Sequence, residues 1–233
     1  MKLDILAFGA HPDDVELCCS GTLLKHISQG KKVGIIDLTR GELGTRGSAA
    51  IRDKEAAVAA KILGIAVREN LNFADGFFLN DKQHQLEVIK KIRKYQPEII
   101  IANAIRDRHP DHGRSAQLIS DSCFLSGLVK IDTNQKVWRP KAVYNYIQDR
   151  YIKPDFVIDI SDFIDKKMQA IKAYRSQFYD PKSKEPQTYI SSPEFLEMLN
   201  ARAIEMGKVI RVKYAEGFTA ERVVGVKDLF DLE

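Results

Sequence analysis

Two stretches of this chain, Val33-Gly34-Ile35-Ile36 and Ile99-Ile100-Ile101-Ala102, are apolar at every position instead of at every second one. A strand with one face in water alternates. A strand that is apolar throughout is covered on both faces, as inside a parallel sheet layered by helices. Strands are predicted over residues 3–9, 33–38, 98–103, 142–146 and 156–160, with a short one near 70–73. Segments of helical period lie between and after them. These cover 15–29, closed by Gly30, and 49–63, closed by Gly64 with Ile51, Val58 and Ile62 as its core-facing stripe. The others are 84–95, stopped before Pro97, then 113–126, 162–177 opened by Ser161 as its N-cap, and 193–212. Strand alternating with helix predicts an α/β chain: a single Rossmann-like domain over 1–233, with a mostly parallel central sheet flanked by helices. A length of 233 residues and a hydrophobic content of 44% suffice for one core.

Composition excludes several classes of function. The net charge of +4 comes from 36 basic and 32 acidic residues spread along the chain, with no basic face for nucleic acid. No apolar stretch reaches the roughly 20 residues that span a bilayer, and the first ten residues are interrupted too early for a signal peptide. Three cysteines, two of them adjacent, do not make a disulfide framework, and a reducing cytoplasm is expected. A small anionic substrate remains compatible with the weak basic excess.

Three of the five histidines fall in two short clusters, each just beyond a predicted strand: His11-Pro12-Asp13-Asp14 and His109-Pro110-Asp111-His112. Ligands of open parallel sheets lie beyond the carboxyl ends of the strands, where strand order reverses. In each cluster the outer residues stand three apart at the entry to a helix, close enough to converge on one ion. Pro12 costs nothing there, since the first helical N–H groups are unpaired anyway. His11, Asp14 and His112 make a two-imidazole, one-carboxylate set, the donor number of an open catalytic zinc site. Zn²⁺ suits these donors and Fe²⁺ fits the same ligands. Asp13 and His109 are then free to act as general base and as acid or oxyanion donor. A nucleotide-binding reading wants Gly-x-Gly-x-x-Gly after the first strand, and Gly9-Ala10-His11-Pro12-Asp13-Asp14 is not that.

Ala10-His11-Pro12-Asp13-Asp14 with Glu16-Leu17 and Ser20-Gly21-Thr22-Leu23 resembles the opening motif of the zinc-dependent N-acetylglucosaminyl deacetylases, the LmbE/PIG-L-like family. Thr39-Arg40-Gly41-Glu42, Arg52 with Glu55-Ala56, Asp75-Gly76 and the second histidine cluster follow in the family's order. The longer strings Asp37–Gly47, Trp138-Arg139-Pro140, Tyr146–Arg150 and Ser176–Tyr179 are similar to the bacillithiol-pathway deacetylases, which remove acetate from N-acetylglucosaminyl-malate. The resemblance implies His11, Asp14 and His112 as metal ligands and Asp13 as the base. It implies His109 as oxyanion stabiliser or acid, oriented by Asp111, and Arg52, Glu42 and Asp75 as contacts to the sugar or its aglycone. It also implies a homo-oligomer, trimer or hexamer. Without it, Arg52 and Glu55 read as a solvent-facing helix pair. Cys18 and Cys19 read as small core residues, and His26 and His84 as structural or surface residues without acidic or histidine company. Asp180–Pro186 reads as a loop bordering a site, and Tyr214–Phe218 as a tail segment whose aromatics pack on the sheet.

Overall fold

A computed structural model of the chain describes residues 1–231. In chain order it runs β1 (Ile5–Gly9), α1 (Asp14–Ser28), β2 (Val33–Thr39), α2 (Ala49–Leu63), β3 (Val67–Phe73), α3 (Lys82–Tyr95), β4 (Ile99–Ala102) and α4 (Pro110–Leu125). Then come β5 (Ala142–Tyr146), β6 (Phe156–Asp159), α5 (Ile164–Ile171), α6 (Pro193–Val209) and β7 (Ala215–Ala220). The strands form one seven-stranded sheet in the order β3-β2-β1-β4-β5-β7-β6. Strands β1 to β5 pair in parallel, and β7 runs antiparallel between β5 and β6. The α/β architecture expected from the unbroken apolar runs is the one observed.

Every residue of β1 and β2 is buried, because helices cover both faces. Ile5 and Ala7 face the core with α1, α2 and α5, while Leu6 and Phe8 face α3 and α4. The strand order reverses between β1 and β4, so the crevice at their carboxyl ends is the switch point of the sheet. Both histidine clusters sit at its mouth. No helix among the described residues is long and apolar enough to cross a membrane.

Four local expectations change. Helix α2 turns its Arg52, Ala56, Ala59 and Leu63 face inward, while Ile51 and Val58 are exposed. The two alanines allow α2 a close approach, and burying Arg52 serves the site described below. The chain leaves the helix after Ile171, six residues earlier than expected, and Ser161 opens a 3₁₀ turn instead of capping α5. Ser161 Oγ donates to Asp159 Oδ1 (2.7 Å). Of Tyr214–Phe218, the residues from Ala215 on do not lie on the sheet but enter it as part of β7, with Phe218 buried, and Tyr214 immediately precedes the strand. The buried Glu216 of that strand is satisfied by Lys167 (2.5 Å) and by the N–H groups of Gly21 and Thr22. Finally, His84 does have acidic company: its Nδ1 lies 2.7 Å from Oδ1 of Asp81, the residue that caps α3.

Candidate metal and catalytic site

Both clusters are helix entries. Asp14 is the first residue of α1, and Pro110 the first of α4 with His112 two residues on. Asp13 and His109 therefore occupy equivalent N-cap positions, and the positive ends of two helices meet in one cleft. Gly9 allows the turn out of β1, since a Cβ there would lie 2.9 Å from the His11 carbonyl oxygen.

The structure brings His11, Asp14 and His112 together. Asp14 places Oδ2 3.6 Å from His11 Nδ1 and Oδ1 3.2 Å from His112 Nε2. His109 joins them, with its ring centroid 4.6 Å from that of His11 and 5.2 Å from that of His112. Nitrogen atoms of these three histidines lie close enough together to share one ion. The outer nitrogens are held by carboxylates: His112 Nδ1 by Asp107 (2.6 Å), and His11 Nε2 by Asp75 (3.0 Å) and Asp111 (3.4 Å). Carboxylates on the far side of metal-binding imidazoles fix the ring orientation.

The electrostatics suit a cation. Burial works against charged imidazoles here, yet Asp111, Asp14 and Asp75 hold His11 well above the ordinary range. Burial is likewise outweighed at His112, where the Asp14 charge and the hydrogen bonds to Asp107 and Asp14 raise the pKa to about 9. For Asp14, burial is overcome by the charge of His112 and the hydrogen bonds from both histidines, and the carboxyl is held low. A cluster that gathers two extra protons has the potential and the donors to hold a divalent ion in their place.

Asp13 behaves differently. Its backbone is in the left-handed region (φ 118°), its side chain makes no capping hydrogen bond, and the carboxylate is buried. An N-cap aspartate that does not cap, in a strained backbone, reflects a demand other than stability. Burial pushes its pKa up to about 7, against the pull of Arg52, whose Nη2 lies 3.7 Å away. His109 moves the other way. Burial and then the charges on His11 and His112 lower it to about 4. Its Nδ1 accepts from the Asp111 N–H (3.2 Å), so the neutral ring carries its proton on Nε2. The orienting partner of His109 is thus the Asp111 main chain. The Asp111 carboxylate accepts from the Gly76 N–H (2.7 Å) and from Arg114 (2.5 Å), and lies beside His11.

Arg52 and Asp75 line the cleft of about 300 Å³ that the clusters open into. Arg52 is no solvent-facing partner of Glu55; it is buried and donates to Gln177 Oε1. Glu55 instead accepts from the N–H and hydroxyl of Ser176. Gly41, at φ +64°, leaves room for the guanidinium, since a Cβ there would meet Arg52 Nη1 at 1.9 Å. Asp75 holds His11 and the Leu43 N–H (2.9 Å). Glu42 is exposed outside the cleft lining, and its two oxygens accept from the N–H groups of Asp75 and Arg40. Cys18 and Cys19 are free and buried, and Cys18 borders the cleft. No residue of Asp180–Pro186 lines the cleft; the segment reaches its wall indirectly, through Ser183, which accepts from the cleft-lining Arg46, and Glu185, which accepts from the Gly47 N–H.

Sequence reasoning gave no role to Asp107, Gln148 or Gln177. Gln148 donates Nε2 to Asp14 Oδ1 (3.1 Å) and accepts from Asn103 and the Ala104 N–H. Asp107 is five residues before His112 in a charged loop, and its spacing was the only local signal.

The switch-point cleft, with its convergent imidazoles, carboxylates and one strained acid, defines an α/β fold carrying a candidate metal and catalytic site. The chain belongs to the PIG-L family, described as GlcNAc-PI de-N-acetylase, which matches residues 6–123 and is a family of deacetylases. A solved structure of a conserved protein from Thermus thermophilus superposes with a TM-score of 0.89 at 35% identity, covering 97% of this chain and 98% of that one. The diacetylchitobiose deacetylase of Thermococcus kodakarensis is 26% identical over 225 residues, 91% of this chain and 81% of the relative. The probable N-acetyl-alpha-D-glucosaminyl L-malate deacetylase 2 of Bacillus anthracis is 27% identical over 191 residues, 75% of this chain and 81% of the relative.

Proposed function

We propose that the protein is a Zn²⁺-dependent deacetylase that hydrolyses the acetamide of an N-acetylglucosaminyl compound, with N-acetylglucosaminyl-malate as its substrate. The observation that carries the reading is Asp13: a buried, uncapped carboxylate beside the His11–Asp14–His112 donors, with its pKa near neutrality. A divalent ion held by those three residues would polarise the acetyl carbonyl and lower the pKa of a water from 15.7 to about 7.

The chain's own groups account for the proton traffic. Asp13 takes a proton from the attacking water as the new C–O bond forms. The His109 Nε2–H donates to the oxyanion of the tetrahedral intermediate. As the C–N bond breaks, the protonated Asp13 returns its proton to the departing amine and acetate leaves. Neutral His109 suits donation to an oxyanion but not the acid step, because its imidazolium is not populated at neutral pH. Asp13, with a pKa near 7, can serve as base and then as acid.

The decisive experiment pairs metal analysis with acetate release. The purified protein should contain about one Zn²⁺ per chain and release acetate from N-acetylglucosaminyl-malate faster than from diacetylchitobiose or a thiol conjugate. Chelation should abolish release and added Zn²⁺ restore it. Protein without metal, or loaded protein that releases no acetate, overturns the reading. Asp107→Asn should weaken Zn²⁺ binding by about ten- to a hundredfold in a chelator competition, through loss of the anionic partner on His112 Nδ1. Unchanged Zn²⁺ affinity would remove Asp107 from the metal site.

A further inference from the structure

The cleft carries four arginines, Arg46, Arg52, Arg108 and Arg202, and three of them are committed within the protein. Arg52 holds Gln177 and faces Asp13. Arg46 holds Ser183 and lies 3.6 Å from Glu185. Arg108 lies 3.3 Å from Asp149 and over the Tyr189 ring. Arg202 makes no hydrogen bond, ion pair or ring contact among the described residues, although it is half-buried. Glu216, the buried acid that lines the same side recess as Arg202, is already held by Lys167 and by the Gly21 and Thr22 N–H groups.

Arg202 also has a defined place. It follows Phe195 and Leu199 on α6 at helical spacing, and all three line the cleft. It is shared with a side recess of about 20 Å³ that contains none of His11, Asp13, His109 or His112. Its charge acts on both the Cys18 thiol and the Tyr189 hydroxyl. Arg202 therefore lies on the α6 wall of the cleft, beside the apolar Phe195 and Leu199, where the cleft meets a recess that His11, Asp13, His109 and His112 do not line.

Resting on the deacetylase reading above, we infer that Arg202 is a specificity-determining residue that binds a carboxylate on the group attached to the sugar. A guanidinium taken partly out of water without a protein partner is matched by a planar anion, which it can hold through two parallel hydrogen bonds. With the acetamide at Asp13 and His109, the carboxylate falls on the aglycone. This separates the roles of two arginines: Arg52 is held against Asp13, and Arg202 reads the substrate's charge.

The test compares N-acetylglucosaminyl-malate with neutral methyl N-acetylglucosaminide in the wild-type, Arg202→Gln and Arg202→Lys proteins. Thermal melts first establish that the variants fold. The wild type should prefer the malate glycoside, and Arg202→Gln should shrink the ratio of the two kcat/KM values by about ten- to a hundredfold. The loss should appear in KM for the carboxylate substrate, with Arg202→Lys intermediate. Equal losses on both substrates, or none, overturn the inference. If the wild type deacetylates neither compound, the functional reading fails on its own. Calorimetric binding of glucosaminyl-malate then decides about Arg202: about tenfold weaker binding to Arg202→Gln sustains the inference, and equal binding ends it.

Discussion

Asp13→Asn is expected to lower kcat for acetate release by about 10²- to 10⁴-fold while leaving bound Zn²⁺ near the wild-type level. The two effects separate because Asp13 stands outside the His11–Asp14–His112 set. It lies one residue before Asp14, yet its backbone at φ 118° sends its side chain elsewhere. KM should move little, since proton transfer matters in the transition state more than in the bound ground state. The variant should also be more stable than the wild type when both are metal-free. Burial raises the folded-state pKa of Asp13 from 3.8 to about 7. A carboxyl raised in this way costs stability as pH climbs above its unfolded value, and the cost is complete above the folded one. The gain from asparagine should therefore be absent below about pH 4 and grow until about pH 7. Denaturant titrations across that range measure it. A variant that binds Zn²⁺ and turns over normally would remove Asp13 as the base.

Stability lost for chemistry is hard to see in a sequence, yet much of this site was legible. The apolar runs through Ile35 and Ile100 required burial on both faces, which required helices, and strands placed His11 and His112 at one sheet edge. What was not legible depends on contacts distant in the chain. Arg52 reads as a surface residue from its helix, because its burial depends on Gly41 and on Gln177, 125 residues later. With a charge on the inward face, the more apolar Ile51–Val58 stripe looks like the core side, and the periodicity misleads. Strand β7 is hidden by Glu216 and Gly217, which no isolated strand would favour. Glu216 is tolerated because Lys167 and the backbone of α1 satisfy it. Asp107 and Gln148 act on the donors from loops whose approach only the folded topology supplies.

The same dependence on distant partners gives the largest expected loss of stability, in Arg68→Met. Arg68 on β3 forks onto Asp37 of β2 (Nε 2.8 Å and Nη2 2.9 Å) and reaches Glu16 of α1 (Nη1 2.5 Å). Tyr174 donates to the same Glu16 oxygen (3.0 Å), so one guanidinium joins two strands, α1 and the segment after α5. Asp37 and Glu16 are almost fully buried. Removing the cation strands two carboxylates in the core, which should cost about 3–5 kcal/mol, or about 6–20 °C in Tm for a chain of this size. Arg68→Lys keeps the charge but loses the fork, and should fall between. The deficit has a definite pH signature. Burial already raises the pKa of Asp37 despite Arg68, and losing the arginine raises it further. An acid with a raised folded-state pKa destabilises progressively as pH rises above its unfolded value. The deficit of Arg68→Met should therefore widen from acidic to neutral pH and narrow again on acidification. Replacing Arg68, Asp37 and Glu16 together by apolar side chains of similar volume should recover most of the loss, since the desolvation cost then disappears with the charges. A pH-independent deficit, or a triple variant no more stable than Arg68→Met, would show that lost packing around the guanidinium stem, and not stranded charge, sets the effect.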